Sequence, residues 1–120
     1  MDDLLAFLKL LSDEMRLRII LLLSRQVLCV CELCEILNVP QPRMSQQLAK
    51  LRDLGFVQDE RKGQWMMYRL NLSDSVVIKI VTAIEENLDR YPVLAQDLED
   101  LHKLEADHQL CNSRINKMEG

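Results

Sequence analysis

The chain has 120 residues and a formal net charge of −4, a length that suits one domain. Hydrophobic residues make up 48% of it but aromatic residues only 4%, and there are three glycines, which together favour a mainly helical protein. No apolar run approaches the ~20 residues that cross a bilayer, and acidic Asp2 and Asp3 stand where a secretory signal carries basic residues, so these features predict a cytoplasmic protein without a membrane partner.

The first third of the sequence predicts two helices joined by a short turn. The first extends over about residues 2–11, and its apolar side chains recur at helical spacing: Leu4, Phe7, Leu8 and Leu11. Ser12, followed by two acids, is a predicted N-cap for a second helix that reaches about residue 25. Residues 26–29 are predicted to be a short connection.

The next segment predicts two more helices separated by a three-residue turn. Residues 30–37 form the first, and residues 41–54 form the second. Pro40 disfavours the helical conformation at the preceding residue, so the chain is expected to turn there. Gly55 is the predicted C-cap of the second helix.

The spacing of apolar residues then changes to that of strands. Residues 56–61 and 65–70 are two strand candidates, with a tight turn at residues 62–64 between them. Ser73 or Asp74 caps a further helix that extends to about residue 90, and Pro92 begins a last one.

Two helices and a turn followed by a hairpin predict a winged helix-turn-helix in one domain over residues 1–120, with the helix-turn-helix at about 30–54 and the wing at about 56–70. Residues 41–69 carry six cationic and three acidic side chains, so this segment is basic although the chain is acidic. Duplex DNA is therefore the expected partner, since Gln and Arg can contact base edges and Lys and Ser can contact phosphates. The predicted contacts are Gln41, Arg43, Ser45, Gln46, Gln47, Lys50, Arg61 and Lys62.

The helices at about 2–11 and 74–90 carry more apolar residues than one small domain would bury. A homodimer through these N-terminal and C-terminal helices would cover them. It would also present two recognition helices about one turn of DNA apart.

Three of the four cysteines lie within six residues, at positions 29, 31 and 34, and the fourth is Cys111. Cys31 and Cys34 share a helix face, whereas Cys29 would point about 200° away from Cys31 on a regular helix. All three sulfurs can meet only if Cys29 precedes the helix or the first turn distorts. That turn belongs to the predicted DNA-binding unit, so the spacing itself suggests a ligand-operated switch.

Three thiols without a neighbouring histidine favour a soft, thiophilic ligand. Trivalent arsenic and antimony take three sulfur ligands in a pyramid, whereas a structural zinc site needs a fourth ligand. A redox-sensing thiol pair, a response to another thiophilic metal and buried structural cysteines stay open as alternatives. So does a metal-trafficking or enzyme-accessory protein that binds no DNA.

Four segments resemble the ArsR/SmtB metalloregulatory repressors, and specifically their arsenic-responsive ArsR branch. Residues 11–19 resemble the family's entry to its second helix, residues 28–34 its cysteine box, residues 41–48 its recognition helix and residues 63–70 its wing. The resemblance implies a homodimeric repressor that leaves its operator when the box cysteines bind As(III) or Sb(III). It covers about residues 4–72.

The sequence departs from the family pattern at several positions. Glu32 replaces the Asp of the cysteine box, and Gln47 stands where many members carry His. The N-terminal cysteine pair of the cadmium branch is missing, and Asp100 and His102 match only half of the zinc site of another branch, so His102 and His108 are expected to be ordinary surface residues. No phosphate loop, Ser-His-Asp order or paired catalytic carboxylates suggest an enzyme.

Overall fold

The computed structural model describes residues 1–106, so Cys111 and His108 lie outside the described residues. Within this range the chain forms six helices and three strands. In chain order these are α1 (Asp2–Leu11), α2 (Glu14–Arg25), β1 (Leu28–Cys29), α3 (Val30–Leu37), α4 (Gln41–Asp53), β2 (Val57–Lys62), β3 (Trp65–Leu70), α5 (Ser75–Glu85) and α6 (Pro92–Ala106). The architecture confirms the predicted fold class, a mainly helical winged helix-turn-helix with a small hairpin.

The turn between α1 and α2 differs from the prediction by one residue. Asp13, not Ser12, is the N-cap of α2, and its carboxylate accepts the Arg16 backbone N–H at 3.0 Å. Ser12 instead closes α1, donating its hydroxyl to the Lys9 carbonyl at 2.6 Å. Both residue types cap helices well, so only the path of the backbone distinguishes the two positions.

The turn between α3 and α4 lies where the sequence predicted it. Asn38 ends α3 in the left-handed conformation, with φ 55°, and Pro40 is the N-cap of α4. After α4, Gly55 has φ +85°, its N–H bonds the Arg52 carbonyl at 2.9 Å, and Phe56 N–H bonds the Leu51 carbonyl at 3.0 Å. This pair of bonds is a Schellman motif, in which glycine is favoured because it adopts positive φ without strain.

The sheet contains one strand that the sequence did not predict. Strands β2 and β3 form an antiparallel hairpin with Lys62 opposite Trp65, so the turn has two residues and Lys62 belongs to the strand. Strand β1 adds to the other edge of β3, with Leu28 opposite Tyr68 and Cys29 opposite Met67. The connection predicted at residues 26–29 therefore contains a short strand. Two residues are too few to show the alternating pattern by which a strand is recognised in a sequence.

The helix predicted at about 74–90 is shorter in the structure than the prediction. Asp74 caps it as predicted, accepting Val76 N–H at 2.8 Å, but α5 ends at Glu85 and a separate 3₁₀ turn covers Leu88–Arg90. The misleading signal was Leu88, which continues the apolar spacing across the break.

Helix α6 packs back onto α2 and α3 in the same chain. Its buried side chains are Leu94, Asp97, Leu98, Leu101 and Leu104. Asp97 is 3% exposed and accepts two hydrogen bonds from the Arg18 guanidinium of α2, at 2.8 and 2.9 Å. Over residues 1–106, no helix is both long enough and apolar enough to cross a membrane.

Candidate functional site

Helix α4 has one buried face and one polar face. Its three core residues, Met44, Leu48 and Leu51, are completely buried, and α4 packs on α3 and β2. The predicted DNA contacts lie on the opposite side: Gln41, Arg43, Ser45, Gln46 and Lys50 are exposed, and Gln47 is half-buried. Helix α4 therefore presents a polar surface of the kind that enters a major groove, with a single acid, Asp53, at its C-terminal end.

The wing presents two cations beside its turn. Arg61 and Lys62 end β2 and are exposed, next to Gly63, whose φ of +61° lets the chain reverse in two residues. Side chains at such a tip are well placed for phosphates or the minor groove.

Not every cation of the basic segment is available to a ligand. The Arg52 guanidinium donates to the Asp59 carboxylate at 3.1 Å, which joins α4 to β2, and this hydrogen bond raises the pKa of Arg52. Arg69 donates twice to the Gln58 side-chain oxygen on the neighbouring strand. Arg52 therefore holds the wing against α4 and Arg69 joins the two strands of the wing, whereas Arg61 and Lys62 extend from its end.

Cys29 lies at the junction between the wing and the helix-turn-helix. It ends β1 and is the N-cap of α3, with φ −92° and ψ 168°, so it precedes the helix as the spacing of the cysteines requires. Its sulfur lies 2.6 Å from that of Cys31, in the first turn of α3. Cys29 is 2% exposed and Cys31 is exposed, so the sulfur of Cys29 is internal and that of Cys31 meets solvent.

Glu32 completes this junction. Its side chain is 2% exposed, and its carboxylate accepts the Cys29 backbone N–H at 2.7 Å. The Cys29 side chain faces the Glu32 backbone N–H in return, which makes a capping box with cysteine in the place usually held by serine or threonine. The sequence showed Glu32 only as a departure from the family box, and its reach back to Cys29 is what the tertiary structure adds.

Cys34 is one helical turn beyond Cys31 and half-buried, and burial raises the pKa of its thiol. In the part of the chain that the structure describes, no three His, Cys, Asp or Glu side chains are grouped to hold a metal ion. The three sulfurs are thus near one another in sequence but not assembled around one point. His102, from the half-match to a zinc site, is exposed on α6 with Glu105 at 3.8 Å.

Two residues of the wing belong to the same environment as the thiols. Met67 is opposite Cys29 in the sheet, and the two are buried together with the half-buried Trp65 packed against them. Neither Met67 nor Trp65 was predicted to belong to the site, because β1, which brings Cys29 to the wing, is too short to show a strand period. Cys29 therefore contacts the wing through Met67 and is the N-cap of α3, the first helix of the helix-turn-helix.

Comparison with known proteins agrees with this arrangement. Residues 13–59 match the family model described as a bacterial regulatory protein of the arsR family. The chain is 37% identical over 87 residues to the arsenical resistance operon repressor of Staphylococcus xylosus, covering 72% of this chain and 78% of that protein. It is 50% identical over 64 residues to the arsenic resistance transcriptional regulator ArsR1 of Pseudomonas putida, covering 52% of this chain and 50% of that protein, so it spans about half the length of this relative.

Among solved structures, reduced HlyU from Vibrio cholerae is similar, with a TM-score of 0.64 and 30% identity over 71% of this chain and 87% of that one. The region that matches the family model contains α2, the helix-turn-helix and the start of the wing, which are the elements that position the polar face of α4 and the three cysteines. On these grounds the chain belongs to the arsR family of bacterial regulatory proteins.

Proposed function

We propose that this protein is a cytoplasmic transcriptional repressor, and no enzyme, which binds operator DNA and is released by As(III) or Sb(III) bound at Cys29, Cys31 and Cys34. The observation that carries the proposal is the position of Cys29, which is both the N-cap of α3 and the strand neighbour of Met67 in the wing. A ligand that pulls on this sulfur acts on both parts of the DNA-binding unit. The names of the arsenic-resistance relatives support the same class of ligand.

In this function, α4 enters the major groove and the wing lies along the backbone. Gln46, Gln47 and Arg43 contact base edges, because amide and guanidinium groups pair with adenine and guanine. The remaining predicted contacts hold phosphates: Gln41, Ser45, Lys50, Arg61 and Lys62. The helix-turn-helix at 30–54 and the wing at 56–70 then act as one domain.

A homodimer completes the proposal. Leu5 and Leu8 on α1 are 56% and 45% exposed, and Val76 and Ile78 on α5 are 51% and 42% exposed. Four large exposed apolar side chains on α1 and α5 are consistent with a partner that covers them. Some of the apolar residues of α5 pack within the chain itself, since Val77 and Val81 are buried there.

When all three cysteines are reduced, as glutathione and thioredoxin keep them in the cytoplasm, ligand capture needs no redox change. Each of three S–H groups replaces one hydroxyl of neutral arsenous acid, and its proton leaves with that hydroxyl as water. Cys29 and Cys31 are adjacent, so Cys34 must approach them. That approach distorts the first turn of α3. The ligand therefore binds the DNA-free form more tightly than the DNA-bound form, and this difference in binding free energy drives release.

The proposal is tested with a labelled duplex from upstream of the protein's own gene. The protein is expected to bind as two chains per duplex and to leave it at micromolar arsenite, as followed by fluorescence anisotropy. Trp65 is the sole tryptophan and packs against Cys29, so its emission should change over the same arsenite range. Release by zinc or cadmium with arsenite ineffective would contradict the proposal.

The adjacency of Cys29 and Cys31 favours a second candidate, a thiol redox sensor. Hydrogen peroxide would oxidise the two thiols to a disulfide and be reduced to two water molecules. DNA release by peroxide with no response of Trp65 emission to arsenite would support this candidate and exclude the first.

The capping box predicts a separate effect of Glu32. Glu32→Ala removes the acceptor of the Cys29 N–H and frays the start of α3, which should weaken DNA binding without arsenite by about fivefold, the equivalent of about 1 kcal/mol for a lost cap. Glu32→Gln keeps the acceptor and should stay closer to the unaltered protein. Glu35→Ala, at an exposed position of the same helix, is the matched control. Equal DNA affinities for Glu32→Ala and Glu35→Ala would show that the cap does not support the DNA-binding form.

A further inference from the structure

A cavity of about 230 Å³ lies where α1, α2 and α4 meet. Three of its lining residues are cationic and three are aliphatic, and no carboxylate is among them. They are Lys9, Arg16, Lys50, Ala6, Leu10 and Leu54. Each of the three helices contributes one cation, so the positive charge at this cavity depends on the tertiary structure and not on a basic run in the sequence.

Arg16 supplies the internal wall of the cavity. Its side chain is 16% exposed, and its buried Nε has no hydrogen-bond partner. The Asp13 carboxylate lies 3.6 Å from this nitrogen, beyond hydrogen-bond distance, and already accepts the Arg16 backbone N–H at 3.0 Å. A buried donor without an acceptor is unfavourable, and such groups commonly mark a place where a ligand or an ordered water binds.

The cavity is placed beside the proposed DNA contacts. Lys50 follows Gln46 by four residues, so it lies one turn further along the same side of α4, about 6 Å away along the axis. Lys9, in the last turn of α1, and Lys50 are both exposed, and Leu54 is 45% exposed. A DNA strand that borders the groove occupied by α4 would pass this opening.

We propose that this cavity receives a backbone phosphate of duplex DNA, held by Lys9, Arg16 and Lys50. The inference rests on the proposed function and adds two residues, Lys9 and Arg16, that the basic segment at 41–69 does not contain. A phosphate oxygen gives Arg16 Nε the acceptor that it lacks, and the lysines supply charge. The aliphatic walls exclude water and strengthen these interactions.

The salt dependence of DNA binding tests the proposal, because every neutralised phosphate adds about 0.9 to the slope of log K against log salt concentration. A random-sequence duplex suffices, since phosphate contacts are independent of sequence. Lys9→Gln is expected to lower the slope by about 0.9 for each protomer on the DNA. Lys103→Gln, at another exposed lysine on α6, is the matched control and should leave the slope unchanged.

Arg16→Lys separates the charge from the hydrogen bond. It keeps the positive charge, so the slope should stay while the dissociation constant rises several-fold through loss of the Nε donor. Because Arg16 is mostly buried, this variant is first checked by circular dichroism. Lys9→Gln keeps the proposal falsifiable if Arg16→Lys does not fold.

A free anion is the competing ligand, and inorganic phosphate is its probe. If phosphate at constant ionic strength raises the melting temperature of the unaltered protein but not of Lys9→Gln, and the slopes of the two are equal, the cavity holds a free anion and the proposal is overturned. Equal slopes without any phosphate effect also overturn it. Failure of the proposed function itself looks different, because the unaltered protein would then show no salt-dependent binding to duplex DNA.

Discussion

Serine at position 31 or 34 is expected to leave DNA affinity unchanged and to abolish release by arsenite. Neither side chain contributes to the polar face of α4 or to the wing tip, so repression should survive. A hydroxyl is a poor ligand for a soft element, and two remaining thiols cannot complete a three-sulfur site. The arsenite concentration for half-release should rise at least 100-fold, which corresponds to about 2.8 kcal/mol. Anisotropy of the labelled duplex measures the effect.

The size of this effect follows from what release requires. To change a protein from almost fully bound to almost fully free, a ligand must prefer the free form by about 10⁴-fold. That preference comes from the distortion of α3 when Cys34 joins the adjacent pair of Cys29 and Cys31. Removing Cys34 removes the distortion even if an ion still binds the pair.

The other two cysteines provide graded controls. Cys29→Ser should weaken release at least in part, because one of the three sulfurs is lost, while DNA binding should survive because serine is a good N-cap and leaves the start of α3 intact. Cys111→Ser, outside the described residues, should be near neutral. If Cys31→Ser and Cys34→Ser both release DNA at the arsenite concentration that suffices for the unaltered protein, the three-thiol site is wrong.

Loss of the Arg18 guanidinium is expected to destabilise the fold more than the loss of an exposed charge does. Arg18→Met leaves the Asp97 carboxylate, 3% exposed, without its two hydrogen bonds. Breaking one side of a buried ion pair costs about 3–5 kcal/mol, and the 20% exposure of the Arg18 side chain places the expected loss near the lower end. Urea unfolding followed by Trp65 emission would measure it.

Two further variants show whether that loss of stability comes from the unpaired Asp97 carboxylate. Arg25→Met is the matched control on the same helix, because Arg25 is 46% exposed and 4.0 Å from Glu85, and it should cost at most about 1 kcal/mol. Arg18→Met combined with Asp97→Leu should recover much of the stability, because no unpaired charge remains buried. An equal effect of Arg18→Met and Arg25→Met would mean that the α2–α6 pair does not hold α6 in place.

The elements with strong local signals were predictable from the sequence. The spacing of Met44, Leu48 and Leu51 determined which face of α4 is buried, and therefore which polar residues face outwards. Asn38 and Gly55 marked turns because their backbone conformations favour those residue types. The end of α5 was not predictable, because apolar spacing continued through Leu88 although the backbone changed direction.

By itself, the sequence determined the winged helix-turn-helix, the basic segment within an acidic chain, and a spacing of three cysteines that a regular helix cannot bring together. Only the tertiary structure decided where the thiols lie in relation to the rest. It placed Cys29 beside Met67 through a two-residue strand and buried Glu32 under the start of α3. It also gathered Lys9, Arg16 and Lys50 at one cavity. The physical reason is that helical and strand periods are local properties of the chain, whereas the pairing of Cys29 with Met67 and the grouping of the three cations join segments distant in sequence. The burial of Glu32 likewise depends on how the helices and strands pack around the start of α3.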